Sequence, residues 1–276
     1  MSTFLAEMAS ASDTRVRAAK ARVSEAALAD LARRTPAAPP LRLSAQGFDL
    51  IAELKLRSPS AGALGSPDGA VAERVTAYAR AGAAAVSVLT EPSRFDGSLA
   101  HLTEAARALS PLRVPAMRKD FLIDPYQVLE ARAAGAGGVL LIVRMLSPEA
   151  LAALIDCARA HGLFVLLEAF DEADLERMRE VIDADAGRST LLAGVNCRDL
   201  TTLEVMPGRL LELLPLVPRG VPPVAESGVA GAADAGRLSG AGYGLVLVGS
   251  ALMRGEDPAA LARMLLEAGR AARGAS

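Results

Sequence analysis

Eight short apolar runs, separated by stretches of helical character, set the tightest limit on how this chain can fold. They begin near Asp49, Ala84, Val114, Gly138, Leu163, Leu192, Pro222 and Leu245. Between them stand ordinary helix signals. Ser147-Pro148-Glu149 gives cap, proline and acid in the order a helix start needs, Asp171 with Asp174 opens another helix, and Asp257-Pro258 a last one. Gly162 closes the helix before the fifth run, in the position that favours left-handed backbone. Runs separated by a crossover of this length pair in parallel. An open doubly wound sheet ordinarily has five or six strands and a glycine-rich first turn; eight strands predict a closed (β/α)8 barrel. Such barrels exceed the usual length of one domain, so 276 residues fit a single α/β unit. Residues 1–40 read as an N-terminal helical extension, with Ser24 capping a second helix and Pro36, Pro39 and Pro40 ending it, serving as a lid or a bottom plug. Residues 41–276 form the barrel.

Polar residues at the ends of these runs are the next constraint. Glu53 and Lys55 lie two apart on the first strand, so both point to one face, and burying two ions costs several kcal/mol each. The strand ends in a Ser58-Pro59-Ser60 turn. Further strand ends supply Arg118-Lys119-Asp120-Phe121, Glu168, Asn196-Cys197-Arg198-Asp199, Glu226-Ser227-Gly228 and Gly249-Ser250. In a barrel of this kind those ends share one mouth, where reactive groups gather. Each has a structural alternative. Lys119-Asp120 reads equally as a surface turn, Asn196 and Arg198 as loop caps, and Glu226 as a partner of Lys55 or Lys119. Taken together, ionisable groups on several strand ends would make a costly polar core unless they served a ligand.

The seventh and eighth strand ends indicate the ligand's charge. Ser227, Gly228, Gly249 and Ser250 are small residues whose backbone N–H groups can approach an anion, in the place where these barrels bind phosphate. Ser58 and Arg198 are candidates to complete that cradle, the arginine with a forked donor. A phosphorylated small molecule is therefore the expected partner.

Other ligand classes fit poorly. The net charge is −2, Arg33-Arg34 is the longest basic run, and there is no Trp with only three Tyr and six Phe, so a nucleic-acid surface is not expected. Cys157 and Cys197, like His101 and His161, are isolated, which argues against metal. No signal-like leader or run of about 18 apolar residues occurs, so no membrane association and a cytoplasmic location are expected. No nucleotide fingerprint is present either, and the expectation is chemistry by lysines and carboxylates without cofactor: a lysine as general acid, a carboxylate removing a proton.

The chain resembles the indole-3-glycerol phosphate synthase family in the words Ile51–Ser60, Ser87–Glu91 with Phe95–Ser98, Arg118–Phe121 with Asp124–Gln127, and Leu140–Val143. The match continues through Leu167-Glu168, Gly194–Leu200 with Thr202–Glu204, Ala225–Gly228 and Val248–Met253, all in family order. The resemblance implies conversion of 1-(2-carboxyphenylamino)-1-deoxyribulose 5-phosphate to indole-3-glycerol phosphate, carbon dioxide and water, a carboxy-lyase step of tryptophan biosynthesis. It implies Lys119 as the general acid, Lys55 on the substrate carboxylate and in the later dehydration, and Glu168 as base or cation stabiliser. Glu53 and Asn196 would position the amine and hydroxyl, Glu226 would support the lysines, and Phe95, Phe121, Leu140 and Leu200 would wall the anthranilate ring. Cys197 and an extra loop at Asp183–Ser189 depart from the family pattern, as does the stretch before Asp49. A monomer or weak homo-oligomer is expected. The competing readings are a sugar-phosphate isomerase, suggested by Glu53 and Glu168, a Schiff-base aldolase using Lys55 or Lys119, and a non-catalytic binding relative.

Overall fold

The computed structural model describes residues 2–58, 62–63 and 70–274. Pro59 and Ser60 of the turn read after the first strand lie outside the described residues. Eight parallel strands close into a barrel: β1 (Asp49–Leu54), β2 (Ala85–Leu89), β3 (Ala116–Lys119), β4 (Gly138–Ile142), β5 (Phe164–Ala169), β6 (Leu191–Asn196), β7 (Pro223–Glu226) and β8 (Leu245–Val248). They pair in sequence order, and β1 closes the ring by pairing with both β2 (Ile51↔Ala85) and β8 (Ala52↔Val248). The expected starts hold to within two residues, the widest difference being Ala116 against Val114. A two-stranded ribbon, Arg57–Ser58 with Gly62–Ala63, follows β1.

Alternation along the strands makes two cores. Ile51, Ala85, Met117, Leu140, Phe164, Leu166, Leu192, Val224 and Leu245 point inward and fill the barrel. Leu50, Ala52, Val86, Val139, Val165, Ala193 and Val246 point outward beneath the helices. A period of two on every strand thus separates barrel filling from helix packing. Glycine is required at Gly138, where a Cβ would overlap the Phe164 ring that plugs the interior.

The local helix signals behave as their chemistry dictates. Ser147 and Asp171 accept hydrogen bonds from Ala150 N and Asp174 N, and Gly162 has φ +71°. The region read as an extra loop at Asp183–Ser189 is a correction. Helix Glu172–Asp185 runs through Asp183 and Asp185, and Ala186 ends it in left-handed backbone. Residues 186–189 form the loop, and Ser189 donates its hydroxyl to Asp185 Oδ1 at 2.7 Å, so the stretch read as loop is the helix's last residues followed by a short tied turn.

The first two helices are α1 (Thr3–Arg22) and α2 (Glu25–Arg34), with Ser24 capping α2 through Ala27 N. Leu5, Met8, Ser12 and Val16 form the buried stripe of α1, and Leu5 and Met8 join the core inside the barrel. Helix α2 packs on helix Pro125–Ala133 through Leu28, Ala32, Tyr126 and Leu129. Phe4 and Leu5 line the cavity at the carboxyl ends of the strands. Of the two placements weighed for this segment, α1 therefore takes the one over the mouth.

Candidate active site

A cavity of about 770 Å³ opens at that mouth. It is lined by Glu53, Lys55, Lys119, Glu168, Asn196 and Glu226, and also by Ser58, Arg198, Ser227, Gly228, Gly249 and Ser250. Phe95, Phe121, Leu140 and Leu200 line it as well. Of the strand-end residues singled out in the sequence, Arg118, Cys197 and Asp199 do not line this chamber; the candidate catalytic and binding residues do.

Its centre is Glu53. Lys55 Nζ lies 2.8 Å from Glu53 Oε1 and Lys119 Nζ lies 3.1 Å from Oε2, so one carboxylate holds both lysines. Burial alone would raise the Glu53 carboxyl, but the charges of Lys119 and Lys55 outweigh it and hold it down at about 2. Burial likewise works against the Lys119 ammonium, and the carboxylates of Glu53 and then Glu168 lead the charges that more than offset it, raising Lys119 above the ordinary lysine value. Lys119 is therefore a stored proton, held charged in a desolvated place.

Glu226 differs from the reading that made it the partner of the lysines. That contact belongs to Glu53, while both Glu226 oxygens are buried without a hydrogen-bond donor among the described residues. Burial and the nearby charge of Glu168 push its carboxyl well above the usual range, against the pull of Lys119. Glu168, by contrast, accepts from Asn196 Nδ2 at 2.8 Å. The two carboxyl groups thus differ in their surroundings, Glu168 held by an amide donor and Glu226 left without one.

These environments act on stability in opposite directions. The depressed Glu53 contributes stability above its unfolded pKa that is lost as the pH falls toward about 2. The raised Glu226 contributes stability below its unfolded pKa that is lost as the pH rises through its folded value. Glu226→Gln is thus expected to raise Tm by a few °C at pH 8 and less at pH 5, while turnover falls. Thermal unfolding at the two pH values checks this.

Missing side chains make the room. A Cβ at Gly194 would overlap Glu226 Oε1, and one at Gly249 would overlap Glu53 Oε1. Gly249→Ala is expected to keep the native circular dichroism but to lower kcat by roughly 10²-fold, because displacing a reacting group by about 1 Å costs that much. Kinetics of the purified variant test it.

At the end of β7, Ser227 and Gly228 both have positive φ, +66° and +71°. Gly228 is held close to Cys197, whose Sγ lies 3.1 Å from where a Cβ would stand. Ser250 begins the short helix Ser250–Arg254. Arg198 donates its Nη1 to Leu203 O at 2.7 Å, and its backbone N–H to Asn196 Oδ1 at 3.0 Å. Phe4 and Leu5 were not foreseen as lining residues. The spacing Leu5-Met8-Ser12 marks a docking face on α1, but it does not say at which end of a barrel that face docks.

A sequence profile described as indole-3-glycerol phosphate synthase matches residues 5–265. The chain belongs to the indole-3-glycerol phosphate synthase family. Relatives named indole-3-glycerol phosphate synthase include one from Parafrankia sp., 45% identical and covering 90% of each chain. Another, from Methanopyrus kandleri, is 47% identical over 83% of this chain and 86% of its own. "Indole-3-glycerol phosphate synthase 2" of Streptomyces coelicolor is 42% identical over 94% and 96%. Among solved structures, 3-hexulose-6-phosphate synthase from Salmonella typhimurium superposes with a TM-score of 0.60 at 18% identity, covering 80% of this chain and 97% of that one. Thiamine phosphate pyrophosphorylase from Pyrococcus furiosus does so at 0.58 and 16%, covering 82% and 98%. At those identities they share the barrel alone. Membership of the indole-3-glycerol phosphate synthase family gives the activity of a carboxy-lyase in tryptophan biosynthesis. The isomerase, aldolase and non-catalytic readings give way to it. A phosphorylated small molecule fits this family, and no helix among the described residues is long and apolar enough to cross a membrane.

Proposed function

We propose that the cavity takes 1-(2-carboxyphenylamino)-1-deoxyribulose 5-phosphate with its phosphate against Ser227, Gly228, Gly249 and Ser250, assisted by Ser58 and Arg198. The anthranilate ring lies among Phe95, Phe121, Leu140 and Leu200. Lys119 protonates the ribulose carbonyl oxygen as the carboxyl-bearing ring carbon attacks the carbonyl carbon, forming the new C–C bond. Loss of carbon dioxide returns the ring carbon's electron pair to the ring. Lys55 holds the carboxylate in the first step and protonates the departing hydroxyl in the second, and Glu168 takes the proton that completes the indole. Asn196 aligns Glu168, Glu53 holds the two lysines in place and keeps Lys119 charged, and Glu226, in its neutral form, donates a hydrogen bond to a substrate oxygen. Ring closure, decarboxylation and dehydration change no net oxidation state, so the reaction calls for no coenzyme.

The observation that carries this reading is the paired contact of Lys55 and Lys119 with one buried carboxylate. It supplies two proton donors about one reacting centre. The rise of indole fluorescence on adding this substrate to the purified protein tests it, and no rise would refute it. Absence of Trp keeps the protein's own background low. Arg198→Ala is expected to raise KM about tenfold with a smaller change in kcat, the pattern of a binding contact shared by ground and transition states.

We further assign residues 1–40 as an extension serving catalysis from above and 41–276 as the catalytic barrel. The reading includes a cytoplasmic location, where a biosynthetic enzyme of this kind meets its substrate. It also includes a monomer or weak homo-oligomer.

A further inference from the structure

The outward side of the β3 end carries a buried polar network that the reaction does not use. Asp120 is 3% exposed. Its carboxylate accepts from Thr90 Oγ1 at 2.7 Å, from Arg118 Nη2 at 3.2 Å and from the backbone N–H of Phe121 at 2.8 Å. A fourth donor comes from far away in sequence: Arg15 Nη2, on α1, at 2.7 Å. The other arm of the same guanidinium, Nη1, donates to Glu91 Oε1 at 3.2 Å. Glu91 is fully buried and caps the short helix Pro92–Phe95 through Ser93 N and Arg94 N.

One side chain on α1 therefore grips two loops, each of which carries an aromatic residue of the cavity wall. Phe121 directly follows Asp120, and Phe95 closes the turn that Glu91 caps. The two rings lie 6.2 Å apart, and Phe4 of α1 meets Phe121 edge-on at 5.8 Å. Ser12, one turn before Arg15, donates its hydroxyl to Phe121 O at 2.6 Å and accepts from Gln127 Nε2 at 2.8 Å. Of the other ion pairs of α1, Arg17 with Asp13 stays within the helix at its surface, whereas Lys20 with Asp124 and Glu7 with Arg94 each reach a single partner in the barrel loops.

We propose that Arg15 is a positioning residue for the lyase reaction, tying the loops after β2 and β3 so that Phe95 and Phe121 stand at the separation the substrate's aromatic ring requires. This rests on the reading that the ring lies against those two side chains. A guanidinium is suited to the task because its rigid planar fork aims separate N–H donors at the two carboxylates, where an ammonium is a single point charge.

The test compares Arg15→Ala, Arg15→Lys and Phe121→Ala with the parent enzyme, with Arg17→Ala as a control for loss of charge on α1. For Arg15→Ala, KM is expected to rise about tenfold, near 1.4 kcal/mol of binding, with kcat changed less. Arg15→Lys, which retains charge and one of the two contacts, is expected to fall between, and it serves if the alanine variant does not fold. Arg17→Ala is expected to leave both parameters unchanged. In the Phe121→Ala background the effect of Arg15→Ala should shrink, since residues acting through one another are not additive. A purely structural role would lower Tm and leave KM unmoved; a KM within twofold of the parent for Arg15→Ala, or for Arg15→Lys where the alanine variant does not fold, overturns the proposal. An unchanged KM for Phe121→Ala would instead refute the placement of the ring.

Discussion

Lys119→Ala is expected to lower kcat by about 10²–10⁴-fold, the usual contribution of a positioned general acid, while KM stays within a few-fold. The reasoning starts at the strand. Lys119 is the last residue of β3 and points into the cavity, so its ammonium has no aqueous route to replacement once substrate fills the chamber. The carboxylate of Glu53 in contact with it, with that of Glu168 nearby, keeps it charged against the cost of burial. Removing it deletes the proton that neutralises the carbonyl oxygen as the C–C bond forms, an interaction made chiefly in the transition state. Such a loss falls on kcat and kcat/KM together. Single-turnover and steady-state measurements on the variant check this, and an unchanged kcat would exclude Lys119 as the acid.

Glu53→Gln should be nearly as damaging, by a different route. Lys55 and Lys119 would then share a small volume without the carboxylate that now lies 2.8 and 3.1 Å from them. Lys119 would lose the nearest of the charges that raise it, so its proton would leave at lower pH. The alkaline limb of the kcat profile should therefore move to lower pH, and kcat at neutral pH should drop by about 10²-fold. Breaking a buried ionic contact by removing one partner costs ~3–5 kcal/mol, and the lysines' partial exposure places this case toward the lower figure. Denaturant unfolding of the variant, with its pH–rate profile, measures both effects. A profile that does not move would show that Glu53 has no hold on the ionisation of Lys119.

Much of this was legible in the sequence because it depends on period and spacing. Two-residue alternation placed Glu53 and Lys55 on one face, and the order of strand ends gathered Lys119, Glu168, Asn196 and Glu226 at a common mouth. Which carboxylate would serve the lysines was not legible. That depends on side-chain reach across the barrel, where Glu53 from β1 meets Lys119 from β3 and Glu226 is left without a donor. The helix through Asp183 was missed because Asp-Ala-Asp-Ala-Gly has the composition of a loop, while the hydroxyl and backbone N–H of Ser189 bound to Asp185 secure the helix end from outside it. The grip of Arg15 on Glu91 and Asp120 joins residues 76 and 105 positions apart, beyond any local signal.

Neighbouring residues of β3 have separate destinations: Arg118 goes to the helix side, where it binds Thr90, Gln127 O and Glu130, and Lys119 goes to the cavity. A frame shift of one residue within this strand would exchange them, sending a guanidinium into the chamber and an amine beneath the helices. Tolerance to insertion and deletion should therefore vary sharply along the chain. Insertions within the eight strands should abolish activity, whereas those in turns at the amino ends of the strands should be tolerated.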